Sequence, residues 1–554
     1  MNTGYSATLF VPSVTAIGGS LTLTALVSVL PLLVFFALLG VFKTQAELCA
    51  AISLVVALLV ATLGMGMPLE LALLSGTQGA LFAFFPILFI VIAAVWNYRL
   101  TEESGRSNDM RTVFALVGKG DKRVQVLLIA FAFCGLLEGL AGFGAPVAIT
   151  VAILYAIGVP PVKAAVVTMV GNAFNVGFGA MGIPVTTVGA LGGENPVTVG
   201  ALMGHITPLL VSWAPLVLLW IVDGKRGVRE VWPAGLVAGV AMAAGHFVGA
   251  QFLTYELTAV FASLLSFGAL AAFLRFWSPR TPKDQASEVD LGGLTPSKAF
   301  LSLFPYGLIV VVLAVAKLWK WGVDVPALLA STDLRFPWPG LHGRVGDLAG
   351  EVFSSSIFIL QPLSAPGFLL LLCGVVVSLV YAKSSSASQP FTFRQGIATL
   401  GQVIYSLRLT IVSIVTIMAL AYVMNFSGQT VAIGTLLAAT GAAFAFLSPL
   451  LGWVGTAVTG SATSSAALFA NLQAVAAGQA GLDPALLLAA NQIGGGLGKI
   501  VSPQNLSIAA SASRRPGSEP ELLRSSTPYS VGFVLVLGVI VLLISWGPLS
   551  FLLV

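Results

Sequence analysis

Residues 172–184 read NAFNVGFGAMGIP, and residues 491–503 read NQIGGGLGKIVSP. Both fit one pattern, Asn-x4-Gly-x-Gly-x4-Pro. The first copy carries Asn172, Gly177, Gly179 and Pro184, the second Asn491, Gly496, Gly498 and Pro503. Each copy ends an apolar run long enough to enter a bilayer. Glycines and a proline at this spacing loosen a helix and free backbone N–H and C=O groups. In lipid those groups need other partners, so a broken helix survives where protein packs on it or a polar cavity opens. Interruptions in matching positions of two halves are the sequence mark of a binding site built at a repeat interface.

Composition agrees with a membrane setting. Of 554 residues, 57% are hydrophobic and only 8% charged, against about 25% charged in a soluble domain. Cys49, Cys134 and Cys373 all lie in apolar runs and suggest neither a disulfide framework nor a metal site. The first basic residue, Lys43, follows the first apolar helix, so no cleavable-signal pattern is expected at the start. The net charge of +5 is read as membrane orientation rather than nucleic-acid binding. No H-E-x-x-H or G-x-S-x-G motif supports an enzyme, and no cofactor is implied.

Spans of about 20 apolar residues are expected near 21–42, 46–64, 80–98, 197–222, 233–253, 256–277, 300–318, 366–382, 396–424 and 529–553. Basic residues gather in the linkers 99–123, 223–230, 275–298 and 512–524. Placing all four in the cytoplasm satisfies the positive-inside rule and orients what lies between them. Residues 124–157, with Gly139, Gly142, Gly144 and Pro146 in the middle, then form a re-entrant hairpin entering from inside. Residues 160–192 cross outward as a broken helix. In the second half, 448–478 form a hairpin entering from outside, and 484–511 cross inward as a broken helix reaching Arg514. The expected fold is therefore an all-α polytopic membrane protein with two inverted-topology repeats, 1–278 and 299–554, joined by a cytoplasmic linker at 279–298. Residues 319–365 hold several charges and aromatics and are expected outside the membrane.

Few polar residues fall inside this apolar frame. Glu138 is the one carboxylate in the middle of the first hairpin, and an acid at membrane depth is by default a functional candidate, here for proton coupling. The tips Gly142-Phe143-Gly144 and Ser461-Ala462-Thr463-Ser464-Ser465 begin half-helices whose N-termini suit a carboxylate. Lys499 in the second broken helix and Arg408 near the middle of 396–424 are the two cations away from the linkers. Either suits an anionic substrate or a charge partner for Glu138. Asn172 and Asn491 are candidates to hold the broken backbones or touch substrate. His205 and His246 read as packed residues.

The strings LEGLAGFGAPVAI, GNAFNVGFGAMGIP, NFSGQT, LGWVGTAVTGSATSSAALFANLQ and AANQIGGGLGKIVSPQNLSIA resemble the L-lactate permease family over essentially the whole chain. The resemblance implies proton-coupled uptake of L-lactate and related short 2-hydroxy monocarboxylates, glycolate and D-lactate among them, across the bacterial cytoplasmic membrane. It also implies an elevator-like mechanism of the kind found in ion-coupled carriers with inverted repeats. The family's second tip usually reads Thr-Gly-Ser-Asp-Thr-Ser, whereas this chain has Ala462 at the Asp position and Ala466 where Asn is common. A sodium-coupled carrier of another small carboxylate or dicarboxylate stays open as the alternative, and so does a homodimer.

Overall fold

The computed structural model describes residues 9–42, 44–140, 142, 144–286, 294–386 and 390–553. Among these, eleven helices are long and apolar enough to cross a membrane, or twelve if a bent pair counts as one span. Most expected spans appear near their expected limits. The last expected span, 529–553, is instead Glu519–Ser545. The span expected at 80–98 belongs to a longer helical run, Leu69–Glu103. It is kinked at Phe85 (φ −127°, ψ 109°), the residue before Pro86, which a following proline drives out of the helical region. Those expected at 197–222 and 233–253 form one run, Pro196–Leu253, with Gly224 (φ 60°, ψ −145°) supplying a sharp turn that no L-residue favours.

The span expected at 396–424 is two helices, Phe393–Ser406 and Arg408–Phe426. A Thr392/Gln395 capping box starts the first, which buries only Gly396, Thr399 and Val403 on one side. The region after the Pro296–Leu318 helix is the one departure from an all-α fold among the described residues. Leu334–Pro337 and Ile357–Leu360 pair as antiparallel strands there, Leu334 opposite Leu360.

Both glycine-rich interruptions are breaks. Pro161–Val176 and Gly179–Gly192 are bent by 49°. Immediately after the bend, Ala180 (φ 45°), Met181 (φ 58°) and Gly182 (φ 70°) turn left-handed. Two consecutive non-glycine residues at positive φ store strain of the kind that collects at functional sites. The second copy breaks differently. Pro484–Gly498 tightens into a 3-10 turn at Lys499–Val501, Ser502 is extended, and a new helix runs over Pro503–Ala512.

Each broken helix is preceded by a helical hairpin. Lys122–Leu140 and Ala145–Ala156 form the first, turning through Gly142 (φ 60°) and Gly144 (φ 84°). Phe444–Thr459 and Ala462–Gln479 form the second, turning at Gly460 (φ 76°). The two broken helices run antiparallel. The Arg514 guanidinium, just beyond the end of the second, lies 6.0 Å from the Tyr155 ring at the approach to the first. At the other pole, a methyl on Gly192 would come within 2.5 Å of Leu488 Cδ1.

Where they cross, the contacts are reciprocal. A Cβ on Gly496 would sit 2.4 Å from the Ala173 carbonyl oxygen, and one on Gly177 3.2 Å from the Gln492 carbonyl oxygen. Gly177 and Gly496 hold the same place in the repeated pattern, and so do Ala173 and Gln492. A side chain at either glycine would strike the backbone of the other helix. Gly177 and Gly496 therefore let the two helix backbones touch, while Gly179 and Gly498 lie against Glu138 and Trp453 of the hairpins.

Candidate functional site

The hairpin tips and the helix breaks converge on one cavity of about 780 Å³. Its floor is an ion pair between residues 361 positions apart. Lys499 Nζ donates to Glu138 Oε1 at 2.7 Å, with side-chain exposures of 8% and 3%. The second carboxylate oxygen of Glu138 accepts from Asn172 Nδ2 at 2.8 Å. The local reasons are clear on each side. Glu138 lies near the end of the first hairpin arm, against Gly179, where a side chain would come within 3.1 Å of Oε1. Lys499 opens the 3-10 turn that the Gly498 and Pro503 spacing allows. A cation and a hydrogen-bond donor on one nearly buried carboxylate satisfy it as an anion.

Around this pair the wall is built from both halves of the chain. Gly142, Gly179, Ala180 and Pro184 line one part, Ser461, Thr463, Ser464, Pro503 and Gln504 another. Ser461 caps the second hairpin's outgoing helix, its hydroxyl accepting from the Ser464 N–H at 3.2 Å. An 18-residue helix therefore aims its N-terminus at the cavity, and such an end favours an anion. Helix Arg408–Phe426 closes the remaining side with Thr410 and Ser413, and Glu47 and Glu519 lie in the wall as well.

Six of the expected site residues thus share the cavity: Glu138, Gly142, Ser461, Thr463, Ser464 and Lys499. Asn172 stands one layer behind, touching Glu138 and accepting from the Cys134 thiol at 3.3 Å. Asn491 turns to its own hairpin, where its Oδ1 accepts from Gln473 Nε2 at 2.9 Å. Ser465 ties the hairpin arms together through the Gly452 carbonyl at 3.1 Å. Gly144 packs on Ile508 of the second broken helix. Phe143 lies outside the described residues.

Arg408 is not part of this cluster. Because the helix restarts at residue 408, its side chain folds back over the Tyr405 ring at 4.2 Å and donates to the Tyr405 carbonyl. His205 bonds the Leu552 carbonyl and His246 stacks on Phe178, both as packed residues. Gln504, Thr410 and Ser413 line the cavity without a motif that marks them in the sequence. The only signal for Gln504 is its place directly after the repeated proline.

Fold and site together define a class: a multi-pass, mainly helical membrane protein enclosing a charged cavity between two broken helices. The sequence model of the L-lactate permease family matches residues 24–546. The chain belongs to that family. It is 35% identical over 547 residues to the glycolate permease of Escherichia coli K12, covering 95% of this chain and 96% of that one. It is 33% identical over 561 residues to the L-lactate permease of Bacillus subtilis 168, with 96% and 97% covered. The L-lactate permease of Escherichia coli K12 is 35% identical over 546 residues, with 94% and 96% covered. Permease relatives from bacteria and eleven apolar helices among the described residues make it a multi-pass protein of the cytoplasmic membrane, and a permease rather than an enzyme.

Proposed function

We propose that this chain is a proton-coupled symporter of lactate, glycolate and similar short 2-hydroxy monocarboxylates. The carrying observation is the buried Lys499–Glu138 pair in the cavity floor. One lysine there faces two alternative anions. In the empty site it neutralises Glu138. A substrate carboxylate arriving at the same ammonium leaves Glu138 as a second buried negative charge unless Glu138 takes a proton. An unpaired charge at this depth is costly, so substrate and proton enter together. Both the empty site and the loaded site are then neutral, and each can cross the membrane. The helix N-terminus behind Ser461 and the hydroxyls of Thr463 and Ser464 supply the other donors to the carboxylate.

Two inverted repeats, 1–278 and 299–554, carry this site, each with a re-entrant hairpin and a broken helix. The antiparallel broken helices and their exchanged Ala173 and Gln492 contacts support that reading. The cavity reaches Glu47 and Glu519, neighbours in sequence of Lys43, Arg514 and Arg515. By the positive-inside rule that mouth is cytoplasmic, so the conformation is inward-open, and an elevator-like shift of the hairpins exposes the site outside. The test is uptake of labelled L-lactate into proteoliposomes. An inward proton gradient without sodium should drive accumulation, and a requirement for sodium would return the carrier to the sodium-coupled class.

A further inference from the structure

The two repeats differ at the cavity in a way that assigns a role to Gln504. In the shared pattern, the position after the second glycine is Ala180 in the first copy and Lys499 in the second. The position after the proline is Val185 in the first copy and Gln504 in the second. Ala180, Lys499 and both prolines line the cavity, and so does Gln504. Both copies of the repeat break at the cavity, but only the second dresses its break with polar heads.

Those heads point to opposite tips. Lys499, before the extended residue Ser502, reaches Glu138 beside the first tip. Gln504, in the first turn after Ser502, lies on the second tip, where a Cβ on Gly460 would meet its Oε1 at 2.4 Å. Gln504 is exposed to the cavity, and among the described residues its carboxamide makes no hydrogen bond within the protein. A carboxamide offers both a donor and an acceptor. That suits a hydroxyl, which is also both.

We infer that Gln504 reads the 2-hydroxyl of the substrate while Lys499 holds its carboxylate. The assignment rests on the symport reading above. Both heads line the same cavity, where a 2-hydroxy acid presents a carboxylate to one and a hydroxyl to the other. A monocarboxylate without the hydroxyl engages Lys499 alone and leaves the Gln504 amide with water. Sites built to bond a hydroxyl reject analogues lacking it more strongly than apolar pockets reject a missing methylene.

The experiment uses the full chain in proteoliposomes and compares L-lactate with propionate as competitors of labelled L-lactate exchange. The wild type should favour lactate. In Gln504→Met, which keeps length and volume, lactate affinity should fall about tenfold, the worth of one good hydrogen bond. Propionate affinity should stay within about twofold, so the preference collapses. Gln504→Leu should behave alike, which guards against an effect peculiar to methionine. Equal weakening of both acids, or an unchanged ratio in either folded variant, overturns the role of Gln504. So does a wild type that does not distinguish lactate from propionate. A wild type that exchanges no short monocarboxylate overturns the symport reading itself, a different result from any of these.

Discussion

Glu138→Gln separates proton coupling from substrate binding. In the protein, Glu138 accepts from Lys499 and Asn172 through its two oxygens. Glutamine matches its shape but offers one acceptor and one donor, so one of those two bonds must be lost. More important is the charge. The empty wild-type site sums to zero, whereas the empty variant keeps Lys499 as an uncompensated cation at 8% exposure. Removing one partner of a buried pair costs about 3–5 kcal/mol. Set against the crossing of the empty carrier, that is a slowing of about a hundredfold to a few thousandfold.

The loaded variant is neutral again, because lactate supplies the missing negative charge. Net proton-driven accumulation of lactate should therefore collapse, while lactate–lactate exchange, which never moves the empty carrier, should persist. The half-saturating lactate concentration for exchange should fall, since no carboxylate competes for Lys499. The assay is labelled L-lactate uptake into proteoliposomes under an inward proton gradient, run beside exchange into vesicles preloaded with lactate. Accumulation by the folded variant at the wild-type rate would refute the reasoning. So would loss of exchange together with accumulation, because Glu138 would then be needed to bind lactate rather than to carry its proton.

Lys499→Gln keeps much of the stem and removes the cation, so the half-saturating lactate concentration should rise at least tenfold with the chain still folded; an unchanged value would remove Lys499 from the site. Tags at Gln285 and after Arg514 should be reached from the cytoplasmic side and one at Gly343 from outside; finding Gln285 and Gly343 on one side would break the opposite orientation of the repeats. Gly496→Ala sets a methyl 2.4 Å from the Ala173 carbonyl and should destabilise by about 1–3 kcal/mol, seen as a lower unfolding temperature in detergent. Gly268→Ala, in a helix with open space around its added methyl, should be neutral or slightly stabilising.

The local half of this protein is legible in its chain. Helix breaks at Gly177–Pro184 and Gly496–Pro503 follow from backbone chemistry acting over a few residues, and a pattern of glycine and proline encodes them directly. Glu138 stands out because an acid inside an apolar hairpin is costly to bury and rare without a function. The orientation proposed from positive charge in the linkers has the same kind of reason, a local cost of moving lysine and arginine across lipid. Hydropathy is less reliable at 396–424. There an amphipathic helix and an apolar one abut at Leu407, and averaging over a window cannot tell a stripe from an all-round apolar surface.

What needed the tertiary structure is partnership. Lys499 and Arg408 look alike in sequence as cations in apolar surroundings. One lies 2.7 Å from a carboxylate 361 positions away, and the other folds onto its own Tyr405. Asn172 and Asn491 occupy the same place in the repeat, yet one bonds Glu138 and the other Gln473. The neighbours that decide these roles lie on other elements, and they are set by which helix faces pack. No spacing along one chain records that. Repetition in sequence marked two interruptions, and packing then brought Asn172 of one and Lys499 of the other onto the same carboxylate.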